Sequence, residues 1–250
     1  MRTLILADIH SNIDALDAVL FAAATMSVDR AVVLGDLIGY NGAPKEVLRR
    51  LETLAPVMTV RGNHDKVCAG LEPPVVFSPI AREAIEWTRK ELSPPILTRL
   101  AQLPKGPLML DGTIELCHGA PFDEDFYVQD ALDARRALES ASARICFNGH
   151  THVPAVYRTV GFSVRDETPF DVEVPPLAVV PVPPKGRMLI NVGSVGQPRD
   201  GDPRAAFGIL DEGNGTVELR RVEYNIDAAQ RRIINAGLPL FLAERLERGF

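Results

Sequence analysis

Leu4-Ile5-Leu6-Ala7-Asp8-Ile9-His10-Ser11-Asn12-Ile13-Asp14-Ala15-Leu16-Asp17-Ala18-Val19-Leu20 changes its period midway. Leu4 to Ala7 is a short apolar run of the length a buried strand needs, and Asp8 and His10 stand at its end. Ala15, Leu16, Val19 and Leu20 then recur at helical spacing, with Ser11 and Asn12 where the first free N–H groups of a helix need a side-chain acceptor. The next apolar run, Ala31-Val32-Val33-Leu34, ends in Gly35-Asp36. Strand, helix and strand in this order form a βαβ unit, the start of a parallel sheet in an α/β fold.

The same punctuation recurs further along. Val57 to Val60 leads to Gly62-Asn63-His64-Asp65, Ile114 to Cys117 leads to His118-Gly119, and Ile145 to Phe147 leads to Gly149-His150-Thr151-His152. All five histidines of the chain fall in these motifs. Strands that end side by side deliver their C-terminal residues into one crevice. Residues at i and i+2 of an extended segment project to the same side, which predicts that Asp8 and His10 grip one ion together; His150 and His152 share that spacing. Asp36 has two carboxylate oxygens that can each take a different cation, as a two-metal site requires. Asn63 adds an amide oxygen, and His118 and His150 add imidazole nitrogens suited to Zn, Mn, Fe or Co. Singly, a Gly-Asp is a turn and a strand histidine is a core residue. Their convergence after successive strands favours a metal centre.

Pro44 opens a second helix through Val47, Leu48 and Leu51, and Ser78-Pro79 opens a third to about Leu92 with Trp87 on its inner face. From Met188 the chain reads as strands, 188–192, 206–210 and 216–222, with turns at Gly201-Asp202 and Asn214-Gly215. Prolines at 169, 175, 176, 181, 183 and 184 interrupt residues 168–187, a density that excludes a central strand and predicts an extended edge arm. Residues 227–250 read as a helix pair broken at Gly237 and Pro239. Because residues from Asp8 to His152 must meet at one centre, residues 1–250 are expected to form a single unit.

The order Asp-X-His, Gly-Asp, Gly-Asn-His-Asp, His and Gly-His-X-His, from Asp8 to His152, resembles the calcineurin-like metallophosphoesterases, most of all their small single-domain bacterial and archaeal members. The stretch from Asn191 to Arg199 and the closing Ala236-Gly237-Leu238-Pro239 add to the resemblance. It implies a four-layer α/β/β/α sandwich, two mixed sheets flanked by helices, with the site at one sheet edge. It implies two divalent ions (Mn, Fe or Zn), one held by Asp8, His10, Asp36 and His152 and the other by Asp36, Asn63, His118 and His150. A metal-bridging hydroxide would attack phosphorus in line, with His64 facing the substrate as donor or general acid. Asp65 would hold the His64 ring; its alternative reading is a helix or turn cap.

Protein Ser/Thr phosphatases and symmetrical diadenosine tetraphosphatases carry a phosphate-clamping arginine soon after the Gly-Asp motif. Here Gly35 to Asn41 has none, and Tyr40 with Asn41 stands in its place. The expected substrate is therefore a phosphodiester or a small phosphomonoester. A protein Ser/Thr phosphatase, a dinucleotide-polyphosphate hydrolase and a non-catalytic scaffold that kept the fold are the alternatives. A scaffold would be expected to have lost ligands, and every position is filled. Arg61 is read as a surface ion-pair residue.

Composition agrees with an enzyme. With 250 residues, 46% of them hydrophobic, the chain can bury a substantial core. Its formal net charge of −6 argues against a nucleic-acid polymer as partner. No apolar run approaches the ~18 residues of a membrane span, and no targeting segment precedes the first strand, so a cytoplasmic location is expected. Cys68, Cys117 and Cys146, an odd number with no Cys-X-X-Cys pair, suit reduced thiols, Cys117 as core. Apolar residues of the arm, Val172, Val174, Leu177, Val179 and Val180, could face a second copy in a homodimer.

Overall fold

The computed structural model describes residues 1–54, 57–169 and 177–250. In chain order the elements are β1 (Arg2–Leu6), α1 (Ile13–Ala23), β2 (Arg30–Val33), α2 (Pro44–Glu52), β3 (Val57–Thr59), α3 (Asn63–Ala69), α4 (Pro79–Glu91), α5 (Pro94–Ala101), β4 (Leu108–Leu110) and β5 (Ile114–Leu116). There follow α6 (Ala131–Ser140), β6 (Ile145–Asn148), β7 (Ala155–Val160), β8 (Ser163–Asp166), β9 (Leu177–Pro181), β10 (Met188–Asn191), β11 (Ala205–Asp211), β12 (Thr216–Val222), α7 (Ile226–Asn235) and α8 (Leu240–Arg248).

Two six-stranded mixed sheets result, in the orders β3-β2-β1-β11-β12-β9 and β4-β5-β6-β10-β7-β8. In the first, β1, β2 and β3 run parallel and β11 pairs antiparallel to β1. In the second, β5, β6 and β10 run parallel. The period of two along β1 assigns the layers. Leu4 and Leu6 point to a cluster with Leu16 and Val19 of α1 and Val47 and Leu51 of α2. Ile5 and Ala7 point the other way, to Phe147, Met188 and Ile190 of the second sheet. On that sheet's outer face Cys146, Tyr157 and Leu189 pack on Ala134, Ala137 and Leu138 of α6. The order of layers is α/β/β/α.

Local chemistry accounts for the helix starts. Asn12 Oδ1 accepts the Ala15 N–H at 3.1 Å, Ser78 Oγ accepts that of Ala81, and Pro44 sits in the first turn of α2. Helices α3, α5 and α6 were not anticipated, although Asp130 caps α6 through the N–H groups of Leu132 and Asp133. Trp87 is half-buried against the cluster that joins α4 to α7 and α8. Of the arm, β9 pairs with β12 as the edge strand of the first sheet. Residues 170–176, with Val172, Val174, Pro175 and Pro176, lie outside the described residues.

Candidate metal centre

The motif residues all sit just beyond strand ends: Asp8 and His10 after β1, Asp36 after β2, His118 after β5, and His150 and His152 after β6, while Asn63 and His64 open α3. They lie where the C-terminal ends of both sheets' parallel strands meet, at the end of the interior strands β1 and β2 rather than along a sheet edge. Asp8, His10, Asp36, His150 and His152 have φ of 52°, 47°, 53°, 70° and 62°. The expectation of extended i, i+2 pairs is thus corrected: the ligand pairs are turned into the site by left-handed residues. Asp8 N–H donates to Gly35 O at 3.1 Å and His10 N–H to Asp36 O at 2.9 Å, locking the first two loops together. Glycine lets two backbones close in. A Cβ on Gly62 would run into the Asp36 carboxylate, and one on Gly196 into the Ile9 carbonyl oxygen.

Two groups of side chains emerge, Asp8, His10, Asp36 and His152, and Asp36, His118 and His150, each with its ligand atoms within 4.8 Å of one another. Asp36 belongs to both. Its Oδ2 lies 3.4 Å from His10 Nε2 and 3.6 Å from His118 Nε2, while Oδ1 accepts the His64 N–H at 2.9 Å. The histidine tautomers follow from backbone acceptors. His10 Nδ1 faces Ile38 O at 3.1 Å, His152 Nδ1 faces Gln197 O at 2.7 Å, and His118 Nδ1 faces Leu34 O at 2.7 Å, so in each the proton sits on Nδ1 and Nε2 carries the lone pair. Nε2 of His10 and Nε2 of His152 nonetheless stand 3.0 Å apart. His118 Nε2 likewise faces Asn63 Oδ1 at 3.2 Å, acceptor against acceptor. His150 is reversed: Nε2 donates to Asp125 O at 3.0 Å, leaving Nδ1 to face inward.

Lone pairs aimed at lone pairs repel unless a cation lies between them, and the residues therefore fit divalent ions. Electrostatics agrees. Burial, with Asp36 nearby, pushes the Asp8 carboxyl up to about 7, and burial and Asp65 push Asp36 well above its ordinary value. Burial also holds His10, His64, His150 and His152 well below theirs, so all four imidazoles are neutral and those of His10, His150 and His152 are free to ligate.

His64 shares the pocket without joining either ligand group. Its ring meets those of Tyr40 at 4.4 Å and Phe77 at 4.6 Å, and its buried Nδ1 has no hydrogen-bond partner. Asp65 does not hold that ring. Its carboxylate accepts the N–H groups of Gly62 at 2.9 Å and Leu37 at 3.0 Å, which makes it the cap of α3 and the tie between two site loops. Nor is Arg61 a surface residue: it makes a two-pronged, largely buried pair with Glu124 at 2.9 Å.

A cavity of about 210 Å³ opens over the cluster, lined among others by Tyr40, His64, Phe77, Tyr127 and Arg199. Sequence reading missed the last two. Tyr127 stacks on His150 with ring centroids 3.8 Å apart. Arg199 is held by its N–H on the carbonyl of His152, at the end of a segment whose Ser194 Oγ donates to Asp8 O at 2.7 Å. The one signal for Arg199 was its place in the Asn191–Arg199 stretch.

A profile of the calcineurin-like phosphoesterase superfamily domain matches residues 1–215. The chain is 32% identical over 257 aligned positions to an uncharacterised protein of Methanocaldococcus jannaschii, spanning 98% of this chain and 97% of the other. Its structure is similar to that of a metallophosphoesterase from Sphaerobacter thermophilus, with 39% identity, a TM-score of 0.85 and coverage of 100% and 99% of the two chains. A hypothetical protein from Pyrococcus horikoshii, 19% identical, shares the fold with a TM-score of 0.80 over 100% and 98% of the chains.

Proposed function

The chain belongs to the calcineurin-like phosphoesterase superfamily and is a hydrolase acting on phosphate esters; on that premise we propose that it works with two divalent cations on a phosphodiester or a small phosphomonoester. Asp8, His10, Asp36 and His152 would hold one ion, and Asp36, Asn63, His118 and His150 the other. The observation that carries this reading is the pair of ligand groups sharing Asp36, with imidazole lone pairs directed at one another. The ions, when bound, supply Lewis acidity and lower the pKa of water for in-line attack.

The chain's own groups do the rest. His64, neutral and desolvated without substrate, lines the cavity and would donate a ring N–H to a phosphoryl oxygen or, after taking up a proton against the substrate's negative charge, protonate the departing oxygen. Phe77 and Tyr40 wedge its ring and exclude water. Tyr127 stacks on His150 while Asp125 O fixes its tautomer, so the ligating nitrogen is aimed before any ion arrives.

A cavity of about 210 Å³ supports a small substrate rather than a folded phosphoprotein. Mixed nitrogen and oxygen ligands suit Mn, Fe or Zn. Free Cys68, Cys117 and Cys146, and the lack among the described residues of a helix long and apolar enough to cross a membrane, support a cytoplasmic location. Exposed Leu177 and Val179 on edge strand β9 support pairing with a second copy; a light-scattering mass of one chain at every concentration would exclude it. Protein reconstituted with Mn, Fe or Zn is to be assayed on a model diester, a model monoester, phosphopeptides and diadenosine polyphosphates. Faster turnover of the first two is expected, and preference for a phosphopeptide or dinucleotide would overturn the substrate reading.

A further inference from the structure

Arg199 brings a positive charge to the cavity that contains Asp36, Asn63, His64, His150 and His152. The side chains that hydrogen-bond its guanidinium are neutral. One terminal nitrogen donates to Gln197 Oε1 at 3.2 Å and to the Tyr40 hydroxyl at 3.5 Å, and Tyr127 lines the same cavity. Its Nε is buried with no acceptor, and no carboxylate among the described residues forms an ion pair with it. Arg61, also near the centre, behaves differently and spends both prongs on Glu124. A second guanidinium, that of Arg245, lies 5.9 Å from the Tyr40 ring centroid. Burial and the charge of Arg199 lower its pKa to about 10. Two like charges flank one tyrosine, and Arg199, whose charge is felt by the Asp8 and Asp36 carboxyls of the centre, is hydrogen-bonded by neutral groups only, which leaves N–H groups for an anion that enters the cavity.

We propose that Arg199 is a substrate-binding residue, its guanidinium taking a non-bridging oxygen of the phosphoryl group held over the metal centre. The proposal rests on the phosphoesterase reading above. A planar fork with free N–H groups suits two oxygens of a tetrahedral phosphoryl group better than a single point charge does. Its position is built in. The Arg199 N–H is bonded to the carbonyl of His152, whose ring belongs to the first ligand group, so clamp and metal ligand share one stretch of backbone geometry. Tyr40 lies 5.8 Å beneath the guanidinium, measured to the ring centroid, and Gln197 restrains one prong. The clamp is thereby oriented before substrate enters.

Titration calorimetry of inorganic phosphate into metal-loaded protein tests this without turnover. Arg199→Gln keeps neutral donors and should weaken phosphate binding by about 10- to 100-fold, with metal content and Tm as in the parent protein. Arg199→Lys restores charge without the fork and should recover part of that loss. Phosphate affinity within about threefold of the parent in both variants would overturn the assignment. Should Arg199→Gln lose its metal, Arg199→Lys decides alone, since parental phosphate affinity in that variant rules out a fork-specific contact. Parent protein that binds phosphate but hydrolyses no ester would sink the functional reading and leave the clamp standing. Parent protein that turns over esters while both variants bind phosphate normally would do the reverse.

Discussion

Nε2 of His10 and Nε2 of His152 face one another at 3.0 Å, although 142 residues separate them in the chain and each Nδ1 is already committed to a backbone carbonyl. Neither nitrogen has a proton to share, so their approach is favourable only with a cation between them. The fold pre-arranges this contact and cannot relieve it by rotating either ring.

Metal removal should therefore destabilise the protein. At a free metal concentration near 100 Kd, stability should exceed that of the chelated protein by about 2.7 kcal/mol, read as a rise in Tm on reconstitution. An unchanged Tm would mean that the two rings tolerate each other without an ion.

Asp36→Ala should release both ions, because both ligand groups depend on its carboxylate. Activity should fall by more than about 10²-fold, and elemental analysis should find well under two ions per chain. Retention of both would show that Asp36 is no bridge.

His64→Ala should keep both ions while lowering kcat by about 10²–10⁴-fold. Stoichiometric metal loss in this variant would move His64 from the substrate side to the ligand set.

Metal affinity should weaken as pH falls from 8 to 6. In the metal-free fold Asp8 has its pKa raised to about 7, so below that value an incoming ion must expel a proton. His10, His150 and His152 do not contribute, since they are already neutral there. Below about pH 7 the apparent affinity should drop at least tenfold per pH unit, one proton coming from Asp8 and any further one from Asp36, which burial also raises, with proton release visible in calorimetry as a dependence on buffer ionisation heat. A flat profile would contradict the raised carboxyl.

Asp65→Ala should lower stability by about 2 kcal/mol, the cost of a lost cap, in urea unfolding. The part of the pH profile of kcat that follows His64 should not move, because Asp65 touches the backbone of Gly62 and Leu37 and not the His64 ring, while its charge bears on Asp36. A shift in that part would restore the ring-holding role.

The fold was legible in the chain to the extent that short-range rules govern it. The change of period after Ala7, the Asn12 cap and Pro44 predict β1, α1 and α2, and apolar runs ending in polar motifs predict which residues crowd one crevice. Asp8, His10, Asp36, Asn63, His118, His150 and His152 do converge. Helix α3 escaped because its seven residues span only two turns, and α5 and α6 because their buried faces, Leu100 in the one and Ala134, Ala137 and Leu138 in the other, carry few large apolar side chains. Periodicity also misled at Asp8 and His150, where turning the ligand inward needs positive φ that no spacing rule announces.

Residue order alone thus determined which side chains were available to the centre, since strand ends and ligand types are written locally. Only the tertiary structure decided how they are used. Backbone carbonyls from remote segments select the free nitrogen of each histidine, the N–H groups of Gly62 and Leu37 claim Asp65, and Tyr40, Tyr127 and Arg199 meet around one cavity. Such contacts join residues far apart in the chain, and their energies depend on burial and direction, quantities that exist only once the two sheets have closed on each other.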